Sequence, residues 1–263
     1  MSGRLRIGVL VSGTGSNLQA LIDACRAGTV PAEVAVVVSN VPGAFALERA
    51  RRAGIPARVV DHRAYPTRAA FESALREALE SARVELLCLA GFLRILSPEF
   101  VGAFAGRMMN IHPALLPAFG GKGMYGERVH QAVLASGARV SGCTVHFVTE
   151  VPDAGPIIAQ ATVPVLDGDT PTTLAARVRR EELRLYPIAV RLFAEGRLRI
   201  EGHRVRILPP FGTPAGGARA SASAPPAPEA RGTDGPPGGG PGPEEAGRPA
   251  AHLREGNAIG GAS

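Results

Sequence analysis

The stretch LRIGVLVSGTGSNLQALIDAC, residues 5–25, runs from a mostly apolar segment through a turn with glycines at 13 and 15 into apolar residues at helical spacing. It reads as a buried strand, a tight turn and a helix laid back on the strand. The succession then repeats. Strand-like runs occupy 33–39 (EVAVVVS), 57–60, 84–90 (VELLCLA), 107–111, 140–148 and 157–165. Helical patterns occupy 44–53, 67–82, 128–136 and 171–195, and a short helix begins at Ser97 and Pro98, where serine can cap and proline fits the first helical position. Residues 197–200 and 204–207, joined by EGH, predict a terminal hairpin. Strands apolar throughout and alternating with helices imply an α/β fold: a mainly parallel, doubly wound, Rossmann-like sheet covered on both faces. Ligands of such sheets sit at the carboxyl ends of strands, so functional residues are expected just after strands.

The alternation stops near Pro210. Residues 211–263 hold 13 Gly and 9 Pro in 53 positions, too little apolar surface to offset the entropy of ordering. They are expected to form a disordered Gly/Pro/Ala-rich tail behind one domain of residues 1–210. No apolar run approaches the roughly 18 residues of a membrane span. The start, MSGRLRIGVLVSGTGSN, lacks the long apolar region and cleavage site of a secretory signal, so the cytoplasm is the expected compartment and no membrane partner is expected. Cys25, Cys88 and Cys143 are scattered and odd in number, which fits a reducing compartment better than a disulfide framework. The net charge of +6 invites a nucleic-acid partner, but Lys122 is the single lysine, the arginines are dispersed and tryptophan is absent. With neither a basic cluster nor a stacking platform, no nucleic acid is expected.

The first loop, SGTGSN (residues 12–17), favours an anion. Its glycines let a backbone approach closely, and the helix start behind them offers free N–H groups. A dinucleotide fingerprint would need glycine at position 18, which is Leu18, and a P-loop would need GKS or GKT. A phosphate monoester fits better, with a purely structural turn as the alternative.

A polar cluster follows later strands. NIHPALLP (110–117) supplies Asn110, able to donate to a developing oxyanion, and His112, which titrates near neutrality. VHFVTEVPDAGPII (145–158) supplies His146 within a strand and Asp153 in a turn. An aspartate reaching His112 would orient the imidazole and favour its protonated form. Taken singly, each residue also suits a structural role. GFLRILSP (91–98) sets Leu93, Ile95 and Leu96 around Arg94 just past a strand, an apolar wall suited to a flat heteroaromatic ligand, or simply core. No HxH, HExxH or Cys/His spacing points to a metal, and no GxSxG elbow points to a nucleophile.

Five blocks in order, SGTGSNLQALIDAC, SNVPGAFALERARRAGIP, LAGFLRILSPEFV, NIHPALLPAF and SGCTVHFVTEVPDAGPII, resemble the phosphoribosylglycinamide formyltransferase family, folate-dependent enzymes of purine synthesis. The likeness covers about residues 5–208. It implies a sheet of the formyltransferase type and transfer of a formyl group from 10-formyltetrahydrofolate to the amine of glycinamide ribonucleotide, giving the N-formyl product and tetrahydrofolate, with no metal. It matches Gly15, Ser16, Asn17 and Leu18 to the loop that holds the ribonucleotide phosphate, and Glu182 to an acid near the glycinamide amine. Leu93, Arg94, Ile95 and Leu96, together with Thr149, Glu150, Val151, Pro152 and Asp153, match the folate pocket, as does Arg68. Asn110, His112 and Asp153 match the catalytic trio, with Asn110 also touching folate. The amine would attack the formyl carbon directly, His112 acting as general acid and base and Asp153 raising its basicity.

The segment AFGGKGMYGERV (118–129) is glycine-rich and longer than in the shortest relatives, so contacts there do not carry over. Leu183 stands where a histidine often follows the glutamate. Methionyl-tRNA formyltransferase, which needs an RNA-contacting C-terminal domain, formyltetrahydrofolate deformylase, which needs an N-terminal regulatory domain, and a non-catalytic phosphate-binding module remain as alternatives. Expected partners are the two small substrates, with the chain a monomer or homodimer.

Overall fold

A computed structural model describes residues 3–210. The stretch 211–263, expected to be disordered, lies outside the described residues. The first half alternates strands β1 (Leu5–Val11), β2 (Ala32–Ser39), β3 (Ala57–Val59), β4 (Leu86–Leu89) and β5 (Met108–His112) with helices α1 (Ser16–Arg26), α2 (Phe45–Arg52), α3 (Arg68–Ser81) and α4 (Pro98–Ala103). The second half adds α5 (Glu127–Ala135), β6 (Val140–Phe147), β7 (Ile157–Pro164), α6 (Pro171–Ala194), β8 (Leu198–Glu201) and β9 (Arg204–Ile207). A 3₁₀ turn at His62–Ala64 has no counterpart in the sequence pattern. The run expected at 84–90 narrows to Leu86–Leu89, where ladder partners exist on both sides, in β1 and β5.

The described strands form one sheet in the order β3-β2-β1-β4-β5-β6-β7-β9-β8. Strands β1 to β5 pair in parallel, as do β7 and β9, so the sheet is mainly parallel as expected. β6 is antiparallel to both neighbours. It starts beside the end of β5, with Thr144 opposite His112, and runs back along it, which needs no full crossover.

Alternation along the central strands splits the core into two layers. Ile7, Val9 and Val11 of β1 pack with Leu18, Leu21 and Ile22 of α1 and Val178, Tyr186 and Val190 of α6. Leu10 points the other way, into a layer with Phe71, Leu75 and Leu79 of α3 and Phe100 and Val101 of α4. Apolar strands need this cover on both faces. Helix starts follow their residues. Thr67 caps α3, Ser97 caps α4 ahead of Pro98, and Thr170 with Thr173 forms a capping box on α6. α1 begins instead at Gly15, with no side-chain cap. The order of strands reverses between β1 and β4, and a crevice opens there at the carboxyl ends.

Candidate active site

The crevice is a cleft of about 860 Å³. Its walls come from residues 13–17 after β1, 89–96 after β4, Asn110 to Pro113 at the end of β5, the glycine-rich segment 121–128, the loop after β6, and one side of α6.

At the first loop, Gly15 has φ 72, and an added Cβ would come within 2.6 Å of the Ala46 side chain. Glycine is required here by close approach to α2 as well as by backbone conformation. Two loop carbonyls are tied to that helix: Gly13 accepts from the Ala46 amide at 3.1 Å and Thr14 from Arg49 Nε at 2.8 Å. Ser12 Oγ donates to Asn40 Oδ1 at 2.6 Å and accepts from the Leu93 amide at 2.8 Å, joining the loop to the wall after β4. With its carbonyls engaged and no side-chain cap, the start of α1 keeps unpaired N–H donors and the positive end of the helix dipole. Gly15, Ser16 and Asn17 line the cleft, whereas the Leu18 side chain lies in the core and has only its amide to offer. Asn17 Nδ2 donates to Glu182 Oε2 at 3.0 Å, and Asn17 Oδ1 is buried without a partner. Burial pushes the Glu182 carboxyl up, while Asn17 and Arg179 pull the other way.

The catalytic candidates meet because β5 and β6 lie side by side, with Asn110 opposite His146. Asp153 faces both histidines: its Oδ2 lies 3.5 Å from His112 Nδ1 and its Oδ1 lies 3.6 Å from His146 Nε2. Its Oδ2 also accepts from the Gly121 amide at 2.9 Å. Gly120 permits this approach, since a Cβ there would sit 2.5 Å from Leu116 Cδ2 and 3.1 Å from the Asp153 Cβ. Asp153 and Phe119 both hold left-handed backbone, φ 56 and φ 54, which aspartate tolerates and phenylalanine seldom takes.

The hydrogen-bond network assigns the protons. His146 Nδ1–H donates to the Phe147 carbonyl at 2.9 Å, leaving Nε2 to accept from Asn110 Nδ2 at 3.2 Å. His112 Nε2–H donates to the Phe119 carbonyl at 2.8 Å, so any second proton enters at Nδ1, facing Asp153. Burial lowers the His112 pKa; Asp153 and Phe119 oppose it without overcoming it. The expectation that Asp153 would favour the charged imidazole is therefore met in sign but not in outcome. Burial is the larger effect, and the neighbouring His146 adds to it. Burial also pushes the Asp153 carboxyl up, yet the two imidazoles, when charged, and the Gly121 amide together hold it below its ordinary value.

Leu93, Arg94, Ile95 and Leu96 all line the cleft, Leu93 and Ile95 with more than half their surface open. Thr149, Glu150, Pro152 and Asp153 line it too, while Val151 turns to solvent and lies outside the lining. Arg68 also lies outside the lining. Its Nε pairs with Glu72 Oε1 at 3.0 Å, and Glu72 in turn accepts from the Ser97 amide at 2.7 Å and from the Ser97 hydroxyl, so the group secures the start of α4. The cleft further includes Lys122, Tyr125, His130 and Arg179, which local pattern does not mark. Only Arg179 had a neighbour that could have flagged it, Glu182 one turn further along α6. Among the described residues, no group of three or more His, Cys, Asp or Glu side chains converges to hold a metal, and no helix is long and apolar enough to cross a membrane.

Residues 5–190 match the formyl transferase family. The phosphoribosylglycinamide formyltransferase of Escherichia coli K12 is 43% identical over 215 residues, covering 79% of this chain and 98% of that protein. The trifunctional purine biosynthetic protein adenosine-3 of Gallus gallus is 49% identical over 199 residues; the match takes in 76% of this chain but only 19% of that protein's length. The crystal structure of glycinamide ribonucleotide transformylase 1 from Symbiobacterium toebii superposes with a TM-score of 0.76 at 54% identity, covering 80% of this chain and 96% of that one.

Proposed function

The chain belongs to the formyl transferase family, and from that membership we propose that it moves a formyl group from 10-formyltetrahydrofolate to the amine of glycinamide ribonucleotide, a step of purine synthesis. The observation that carries this reading is the sharing of one cleft by Asn110, His112 and Asp153 with the uncapped start of α1. The activity resides in residues 1–210.

The ribonucleotide phosphate docks on the amides of Ser16, Asn17 and Leu18, where an anion meets unpaired donors and the helix dipole. Glu182, held beside Asn17, receives the glycinamide amine end. Leu93, Ile95 and Leu96 offer an apolar wall to the flat pteridine, and Asn110, Arg94 and the 149–153 loop complete the folate side. The folate brings an activated formyl carbon and a nitrogen that must gain a proton as it leaves.

His112, kept largely neutral at pH 7 by burial, takes a proton from the attacking amine at Nδ1, where the Asp153 carboxylate stabilises the resulting cation. The Asn110 amide, aligned by His146, donates to the developing oxyanion. Delivery of a proton from Nε2 to a ligand requires the bond to the Phe119 carbonyl to open.

The test is folate absorbance on mixing the protein with 10-formyltetrahydrofolate, with and without glycinamide ribonucleotide. Release of tetrahydrofolate only in the presence of the ribonucleotide supports the transfer. Release without it makes the protein a deformylase, and release in neither tube leaves a binding module or a different acceptor.

A further inference from the structure

His130 has no part in the chemistry above, yet it is buried on α5, 4% exposed, and lines the cleft within reach of the charge of Arg179 on α6. Its Nδ1 is enclosed and has no hydrogen-bond partner. Its Nε2 also has no partner among the described residues but is not enclosed, so it is the nitrogen open to the cleft. A buried N–H without an acceptor is rarer and costlier than a buried lone pair without a donor. The proton of a neutral His130 therefore sits on Nε2.

We propose that His130 is a binding residue for the acceptor substrate, its Nε2–H donating to an oxygen of the phosphoribosyl group. This rests on the function proposed above. The position favours the acceptor over the folate: Arg179 lies one turn from Glu182, which bonds Asn17 at the start of α1, so His130 belongs to the wall that cradles the ribonucleotide. Burial, with the nearby Arg179 and His112, lowers the His130 pKa, so the ring acts as a neutral donor, which suits a hydroxyl or phosphate oxygen without adding a charge.

The experiment is calorimetric titration of the full chain with glycinamide ribonucleotide and, separately, with 10-formyltetrahydrofolate. It compares the unaltered protein with His130→Leu, His130→Gln and His130→Asn. The Gln amide reaches where Nε2 lies, and the Asn amide reaches only to Nδ1. Expected are ribonucleotide binding roughly tenfold weaker in His130→Leu, near-normal binding in His130→Gln, no such rescue in His130→Asn, and unchanged folate binding throughout. Ribonucleotide binding by His130→Leu within twofold of the unaltered protein would overturn the proposal, as would equal rescue by Asn and Gln. Should the Leu variant not fold, the contrast between Gln and Asn still decides. An unaltered protein that does not bind the ribonucleotide at all would overturn the proposed function and this inference together, whereas normal binding with indifferent variants would remove this inference alone.

Discussion

Asp153 serves two imidazoles with one carboxylate, and the consequence shows in His112. The carboxylate favours the charged ring, burial opposes it, and burial wins. Replacing Asp153 by Asn removes the favourable charge and keeps a side chain that tolerates left-handed backbone. The His112 pKa should then fall further, so the limb of the pH–rate profile that follows His112 moves to lower pH while the maximal rate drops. A limb that stays in place would exclude coupling between the pair. His112→Ala should lose roughly 100- to 10,000-fold in turnover, in the usual range for a positioned acid–base group, with an unchanged far-UV circular dichroism spectrum. Near-normal turnover would remove His112 from proton transfer.

At the scale of elements, the start of α1 owes its free amides to α2. Arg49 holds the Thr14 carbonyl at 2.8 Å, reaches Gln19 Oε1 at 3.2 Å, and lies 5.0 Å from the centre of the Phe45 ring. Arg49→Met keeps much of the packing but frees the carbonyl, which can then turn toward the cleft and the phosphate. The KM for glycinamide ribonucleotide should rise about tenfold with kcat and the KM for folate little changed. Equal rises in both KM values would indicate general loosening instead. The turn after β1 was legible from its glycines, but its anchoring was not: Arg49 reads as one of many surface arginines until α2 is packed against the loop.

Across the whole molecule, Tyr186 joins the helical layer to the sheet under the site. From α6 its hydroxyl lies 3.1 Å from the Leu89 carbonyl and 3.0 Å from the Met109 carbonyl, the residues just before the apolar wall and the catalytic strand end. Tyr186→Phe should lower stability by about 1 kcal/mol, read as a lower urea midpoint with unchanged slope. An unchanged midpoint would mean that these contacts carry no net energy. The layering behind them was readable from periodicity. Strands apolar on both faces demand helices on both sides, and glycine, proline and capping residues punctuate the chain where elements end. Local pattern therefore established the α/β class, the strand–turn–helix at the first loop, and the candidate residues at strand ends. It could not establish that β6 runs antiparallel, that Arg68 pairs with Glu72 behind Ser97, that His130 enters the cleft, or that burial outweighs Asp153 at His112. Those outcomes depend on contacts between distant segments and on how deeply each group is taken from water, and neither quantity exists until the chain has packed.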